Sequence, residues 1–364
     1  MYTNNDIDTF LKKIIDSQNQ TSENANETET SIVQVRSEID KNILKDLINQ
    51  KLDYRHKVIR LLAEICKDVS SNLECEQLVS SHLLSEIGNQ ITESNIYDNR
   101  TVILPYLLEA CEEDGVKEEL CSSLFYYKLI NLCEQYAGQD EEFLRETCYL
   151  LVVLITTDKS IDHLLTSNKY DLLEYGISWL EKSNLQLKMT GALIITNLTR
   201  NDQSAISILS DKRKPDIKLV EQLKYFSTQL ENKFELMTDE QAKAVHGILG
   251  ALRNLAVPTT NRLLLVDSDV LDNVIPYIFI KNFAGEIAYK ATGVIRFLLR
   301  DAKETSKLAI IDDQILKQIV LNSNTIHAGL QFESRRVLFL LPIALKTVQA
   351  IEALARNDVF PLIT

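Results

Sequence analysis

The most regular feature of the chain is a four-position, largely apolar pattern spaced as one face of a helix. Gly191, Ile194, Ile195 and Leu198 stand at i, i+3, i+4 and i+7, which aligns their side chains along a single stripe. The quartet recurs as Val58, Leu61, Leu62 and Ile65, as Leu104, Leu107, Leu108 and Cys111, and as Cys148, Leu151, Val152 and Ile155. It returns as Ile248, Ala251, Leu252 and Leu255, as Ala291, Val294, Ile295 and Leu298, and as Ser334, Val337, Leu338 and Leu341. Its first position advances by 46, 44, 43, 57, 43 and 43 residues. One such pattern is ordinary in a helical protein. Seven at nearly constant spacing predict a stack of equivalent helical units, against the alternative of an irregular helical domain whose core helices happen to be evenly spaced.

The long interval has a local cause. Extra residues fall between Ser210 and Glu240, in a stretch opened by Lys212, Arg213, Lys214 and Pro215, and predict an inserted loop or a lengthened helix pair. Repeats tolerate such an insertion because each unit touches only its neighbours. The next helix has clear ends: Thr238 and Gln241 form a capping-box pair, and Pro258 stops the helix after Leu255. At the other extreme, Ser17 to Ser31 read SQNQTSENANETETS, with one Ala and no larger apolar residue. Such a segment buries too little surface to offset its ordering entropy. Residues 1–35 are therefore expected to be largely disordered and 36–364 to form the repeat domain, with Asp6 to Ile15 either a turn or two of amphipathic helix or a frayed terminus.

The period lies in the range of about 40–47 residues occupied by armadillo and HEAT units. The expected fold is all-α: an armadillo/HEAT-like α-solenoid, a right-handed superhelix of about seven units without sheet. Only 10 Gly and 6 Pro in 364 residues agree with long helices and few sharp turns. The net charge of −13 repels a phosphate backbone, so nucleic acid is not an expected partner; basic peptides or tails are. The six cysteines, at 66, 75, 111, 121, 133 and 148, form no Cys-x-x-Cys, and several occupy apolar helix positions, so reduced thiols in a cytoplasmic protein are expected. No charged-then-apolar leader opens the chain, and the longest apolar run, Val337 to Leu345, is too short to span a bilayer, so direct membrane insertion is not expected.

Chemistry is sparse. The histidines at 56, 82, 163, 246 and 327 lack metal-ligand spacing, and neither a Gly-rich phosphate loop nor a nucleophile elbow occurs. No catalytic residue, metal or cofactor is assigned, and His246, beside Ile248 and Leu249, is expected to be a packed residue. Trp179 is the single tryptophan, so the repeated Trp and Asn ladder of importin-α-type peptide readers is missing.

Two segments carry more than periodicity. His246 to Pro258 read HGILGALRNLAVP, followed by Asn261, and this resembles the armadillo consensus for the third helix of a unit. Met189 to Asp202 read MTGALIITNLTRND and resemble the corresponding helix of the smg GDP-dissociation-stimulator family, which likewise follows it with an Ala-Leu-Arg-Asn-Leu-Ala-x-Pro repeat. The likeness is specific over 189–262 and general from 263 to 364. It implies binding to small GTPases of the Rho and Rap kind, whose tails are basic and prenylated. It further implies a regulator that promotes GDP release or an escort around lipid modification. A scaffold of the same fold with another partner is the alternative, and a chemical active site is not implied.

On that fold the third helices line a groove. The candidate partner-binding residues beside the core positions are Asn197, Arg200, Asn201, Arg253, Asn254, Arg296 and Arg300. An Asn both donates and accepts, so it can read a peptide backbone; equally, it can bond a neighbouring turn within the solenoid. The arginines can fork onto a partner's carboxylates or pair with local acids. Glu112, Glu113 and Asp114 belong to an acidic run from Glu109 to Glu119, and Asp140 to Glu142 form a second. Either group suits a polybasic tail or is a solvated loop.

Overall fold

The computed structural model describes residues 93–98, 100–166, 171–230, 233–280, 285–345, 348–357 and 359. The N-terminal segment, the possible helix at Asp6 to Ile15 and the quartet beginning at Val58 lie outside the described residues. Among those described, every regular element is a helix and no strand occurs.

The chain divides into two compact units after Phe125. The first contains α1 (Glu93–Asp98), α2 (Arg100–Ala110) and α3 (Asp114–Ser122). Leu104, Leu107 and Cys111 of its quartet are buried, together with Ile103 and Val116, while Leu108 is half-buried.

The second unit is an armadillo-type repeat. Its long helices α5 (Glu141–Leu154), α8 (Leu185–Leu198), α11 (Asp239–Leu255), α14 (Glu286–Leu298) and α17 (Ala328–Leu345) each pack on the one before, forming a continuous row. A shorter element precedes and packs against most of them: α7 (Leu172–Glu181) on α8, α10 (Pro215–Gln229) on α11, α13 (Val270–Val274) with the 3-10 turn Ile275–Phe279 on α14, and α16 (Asp313–Asn322) on α17. The connecting helices are α4 (Phe125–Tyr136), α6 (Asp158–Thr166), α9 (Asp202–Leu209), α12 (Arg262–Asp267) and α15 (Glu304–Ile310), and α18 (Val348–Arg356) follows α17.

The row forms because each quartet faces inward. The quartets of α8, α11, α14 and α17 are buried in full. Removing a Leu or Ile side chain of this kind from water contributes about 1.5–3 kcal/mol. Helix starts are fixed by side-chain caps. Asp140 Oδ1 accepts from Phe143 N at 3.1 Å and Asn184 Oδ1 from Leu187 N at 3.1 Å. Thr238 and Gln241 make both halves of the capping box, at 3.3 and 2.9 Å.

Close crossing of α7 and α8 depends on glycine. A Cβ added at Gly191 would lie 2.5 Å from the Gly176 carbonyl oxygen and 3.1 Å from Trp179 Cβ. The insertion between α8 and α11 is a lengthened helix rather than a loop: α10 has 15 residues and starts at Pro215. Arg213 anchors its entry, bridging Asp211 at 2.7 Å and Asp171 at 2.6 Å, and its hydrogen bonds hold the Asp211 carboxyl below the usual range. Behind it the buried Lys188 ties three helices together, donating to Leu180 O at 2.6 Å and Gln222 Oε1 at 2.8 Å, and burial lowers its pKa.

Candidate functional site

Helices α5, α8 and α11 line a cavity of about 670 Å³. Its apolar lining includes Tyr149, Val152, Met189 and Leu193, and its polar lining includes Arg145, Glu146, Gln186, Glu240 and Lys243. Tyr149 is 60% exposed. Val152, the third position of its quartet, is only half-buried because it belongs to this cavity and not to the core. An apolar floor with charged groups of both signs at its margins suits a protein surface or a peptide.

Beyond the cavity lies a band of polar side chains that stitch successive long helices. Asn197 Nδ2 donates to Val152 O at 3.4 Å, and Asn254 Nδ2 donates to Thr196 O at 3.0 Å. Thr196 Oγ1 donates in turn to Gly247 O at 3.0 Å. Both Asn residues are half-buried, and each uses one amide hydrogen to hold its own helix to the preceding one. Their carbonyl oxygens have no partner among the described residues. Arg200 caps the same edge by donating to Thr156 O. Asn201 is a helix cap, its Oδ1 accepting from Ser204 N at 2.8 Å to start α9. The side-chain oxygen of Asn201 thus serves α9.

Arg253 and Arg296 converge on one carboxylate that the sequence reading did not single out. Glu333 on α17 has a side chain only 3% exposed. Arg253 Nη2 lies 3.3 Å from its Oε1, and Arg296 donates to both oxygens, with Nη2 to Oε1 at 3.3 Å. Tyr289 and Phe297 sandwich the pair: the Arg253 guanidinium is 5.3 Å from the Tyr289 ring and that of Arg296 is 3.8 Å from Phe297. Gly293 makes room, since a Cβ there would fall 2.7 Å from Arg253 Nε. These two arginines are therefore held by a local acid. Arg300 is exposed.

Two helix turns towards the N-terminal ends of the same helices, Glu286 stands between His327, at 3.0 Å, and His246, at 3.8 Å. Burial and the nearby Lys290 lower the His246 pKa, and burial with Arg253 lowers that of Lys290. Among the described residues, no group of three or more His, Cys, Asp or Glu is arranged to hold a metal, and no helix is long and apolar enough to cross a membrane.

The acidic candidates belong to the first unit. Glu112 and Asp114 are exposed, Asp114 is paired with Lys117 at 2.8 Å, and Glu113 is the residue before α3. In the second acidic run Asp140 caps α5, Glu141 accepts from Gly138 N and from Asn184 Nδ2, both at 2.9 Å, and Glu142 is exposed.

No family model matches the chain. Over 293 residues it is 25% identical to Rap1 GTPase-GDP dissociation stimulator 1-A of Xenopus laevis, covering 78% of this chain and 46% of that protein. It is 24% identical over 298 residues to the GTPase-GDP dissociation stimulator vimar of Drosophila melanogaster, covering 80% of this chain and 44% of that one. The chain thus spans about half the length of the curated relatives it matches. Among solved structures it resembles an engineered protein from a structural genomics consortium, with a TM-score of 0.53, 14% identity, and coverage of 96% of this chain and 82% of that one; this likeness concerns the fold.

Proposed function

We propose that this armadillo-repeat chain, similar in sequence to GTPase-GDP dissociation stimulators, regulates or escorts a small GTPase of the Rho or Rap kind. The observation that carries the reading is the breadth of the similarity, which runs over 78% of the chain to a relative named for Rap1. The cavity of α5, α8 and α11 and the polar band beside it supply a surface of the right character. The globular GTPase contacts Tyr149, Met189 and the neighbourhood of Asn197, Arg253 and Asn254. Its basic, prenylated tail is drawn to acids such as Glu112, Glu113 and Asp114.

Nucleotide release needs no chemical group on this chain. A protein that binds preferentially to a GTPase form with a loosened pocket shifts the population towards that form and speeds GDP loss. The two contacts differ in range and so fail differently. Reversing the acids to Lys weakens association and flattens its salt dependence, whereas truncating Asn197 and Asn254 speeds dissociation.

The test is surface plasmon resonance and fluorescent-GDP release against purified Rap, Rho and Ras proteins, each with and without its basic tail. Saturable binding to at least one member, weakened by the acid reversal, supports the reading. No binding to any of them overturns it. One observation favours a second reading, a scaffold for a different partner: the Asn197 and Asn254 amides already bond within the row of helices, and a peptide or protein unrelated to GTPases is then the occupant of the cavity.

A further inference from the structure

His327 stands immediately before α17 and serves as its cap. Its carbonyl oxygen accepts from Gln331 N at 2.9 Å, and its ring Nδ1 accepts from Leu330 N, also at 2.9 Å. This is N-cap geometry, in which a side-chain lone pair satisfies one of the amides that a helix start leaves open. Ser, Thr and Asn, the usual caps, keep their lone pairs at any pH. Imidazole does not. Its Nδ1 lone pair exists only in the neutral ring with hydrogen on Nε2, and that Nε2 lies 3.0 Å from Glu286 Oε1, to which it donates. We propose that His327 is an acid-sensitive latch: the neutral ring fastens α17 to α14, and a proton taken up on Nδ1 releases the first turn of α17.

The consequences of that proton follow from the geometry. A new N–H bond forms on Nδ1 and consumes the lone pair, so two donors, Nδ1–H and Leu330 N–H, face each other. Nε2–H still reaches Glu286, and the ring therefore keeps its hold on α14 while losing α17. Its positive charge also falls at the positive end of the α17 dipole. The ring has little room to turn away, because a Cβ on Gly329 would lie 3.2 Å from His327 Cε1 and 3.0 Å from Tyr289 Cε2. It is held between Tyr289, centroid to centroid 5.5 Å, and the first turn itself. Proton uptake is thus passed to the backbone.

The surrounding charges confine the response to this ring. From α14 it meets Glu286, with Lys290 one turn further on. From α11, His246 approaches the other Glu286 oxygen at 3.8 Å, and burial together with Lys290 lowers its pKa, so His246 is the neutral neighbour. Arg253 lies across the Tyr289 ring and is engaged with Glu333, as is Arg296. Among the described residues, α15, α16 and α18 send no hydrogen bond or ion pair to His327 or Glu286. Glu333 follows His327 by six residues on the same helix, so loosening the start of α17 reaches the carboxylate that holds both arginines. The latch belongs to the chain whichever partner it binds.

The test is hydrogen exchange on the full chain at about pH 7.5 and about pH 5.5, values that bracket the range in which imidazoles titrate. Rates are corrected for intrinsic pH dependence and read on peptides from the first turn of α17. Protection there is expected to fall about fivefold at the lower pH, the change that loss of one N-cap brings to a local opening, while α8 stays unchanged. His327→Ser, a cap without a titrating group, should keep its protection at both pH values, and His327→Ala should lack it at both. Nitrogen-15 NMR of labelled histidines should find hydrogen on Nε2 of His327 at about pH 7.5. Equal protection of the parent at the two pH values, or loss spread along the whole chain, would overturn the proposal. So would a pH response retained in His327→Ser, a further pH response in His327→Ala, or hydrogen on Nδ1 at the higher pH.

Discussion

The same substitution made at two glycines of neighbouring repeats should have opposite signs, and the difference follows from the geometry alone. Gly191 and Gly250 both lie inside long helices, α8 and α11, where Ala is more favourable than Gly by about 1 kcal/mol through backbone entropy. At Gly250 an added methyl meets only the Thr196 side chain, at 3.4 Å, an ordinary contact, so Gly250→Ala should stabilise the unit by about 0.5–1 kcal/mol. At Gly191 the methyl would lie 2.5 Å from the Gly176 carbonyl oxygen and 3.3 Å from Leu180 N, both backbone atoms. Restoring a carbon–oxygen contact of roughly 3.3 Å requires α7 and α8 to separate by about 0.8 Å. A gap of that size forfeits a quarter to a half of each dispersion contact beneath Trp179 and Leu180, both fully buried. Overpacking of this kind costs about 3 kcal/mol, so after the propensity gain Gly191→Ala should destabilise by about 2 kcal/mol. Urea unfolding followed by circular dichroism measures both variants, and hydrogen exchange should place the Gly191→Ala loss in α7 and α8. A Gly191→Ala protein as stable as the parent, or the two variants shifting in the same direction, would refute the close crossing of these helices.

Other consequences are equally direct. Leu252→Ala or Ile295→Ala, at fully buried equivalent positions, should each cost about 2–5 kcal/mol, with exchange protection lost first in the neighbouring repeats; uniform loss along the chain would contradict a stack of nearest-neighbour units. Glu333→Gln keeps shape but leaves Arg253 and Arg296 without their shared charge. Because those side chains keep 23% and 13% exposure, the cost should sit near the low end for a broken buried pair, about 3 kcal/mol by urea unfolding, and a loss below about 1 kcal/mol would show that the pair is screened. Burial, reinforced by Cys121, pushes the Cys111 thiol from 9.0 up to about 12. The folded state therefore favours the neutral thiol, and the stability it contributes is present below pH 9 and is lost as pH climbs towards 12. The urea midpoint should fall over that window by less in Cys111→Ala than in the parent protein; identical profiles would remove Cys111 as the cause.

The long helices were legible in the chain because amphipathicity is a local property. A buried stripe requires apolar residues every three or four positions, and Gly191 to Leu198, Ile248 to Leu255 and Ala291 to Leu298 meet that requirement without reference to anything distant. The capping box at Thr238 and the stop before Pro258 are local in the same way, being settled by hydrogen bonds and sterics within one turn. The nature of the insertion was not decided locally: Pro215 permits either a loop or a helix, and the fifteen-residue α10 is stabilised by Gln222 reaching Lys188 and by packing on α11. Nor were the roles of the polar residues. Asn197, Asn201 and Asn254 are chemically alike in the sequence, yet one caps a helix and two bond the preceding repeat, because those roles depend on which carbonyl or amide lies opposite. Glu333 escaped notice for the same reason: its partners are 37 and 80 residues away, and only the stacking of α11, α14 and α17 brings the three together. Composition and period determined the class of fold and where each core stripe lies. Tertiary packing alone decided which polar side chains close the stack and which stay exposed, because hydrogen bonds and ion pairs are fixed by distances between repeats that no local pattern encodes.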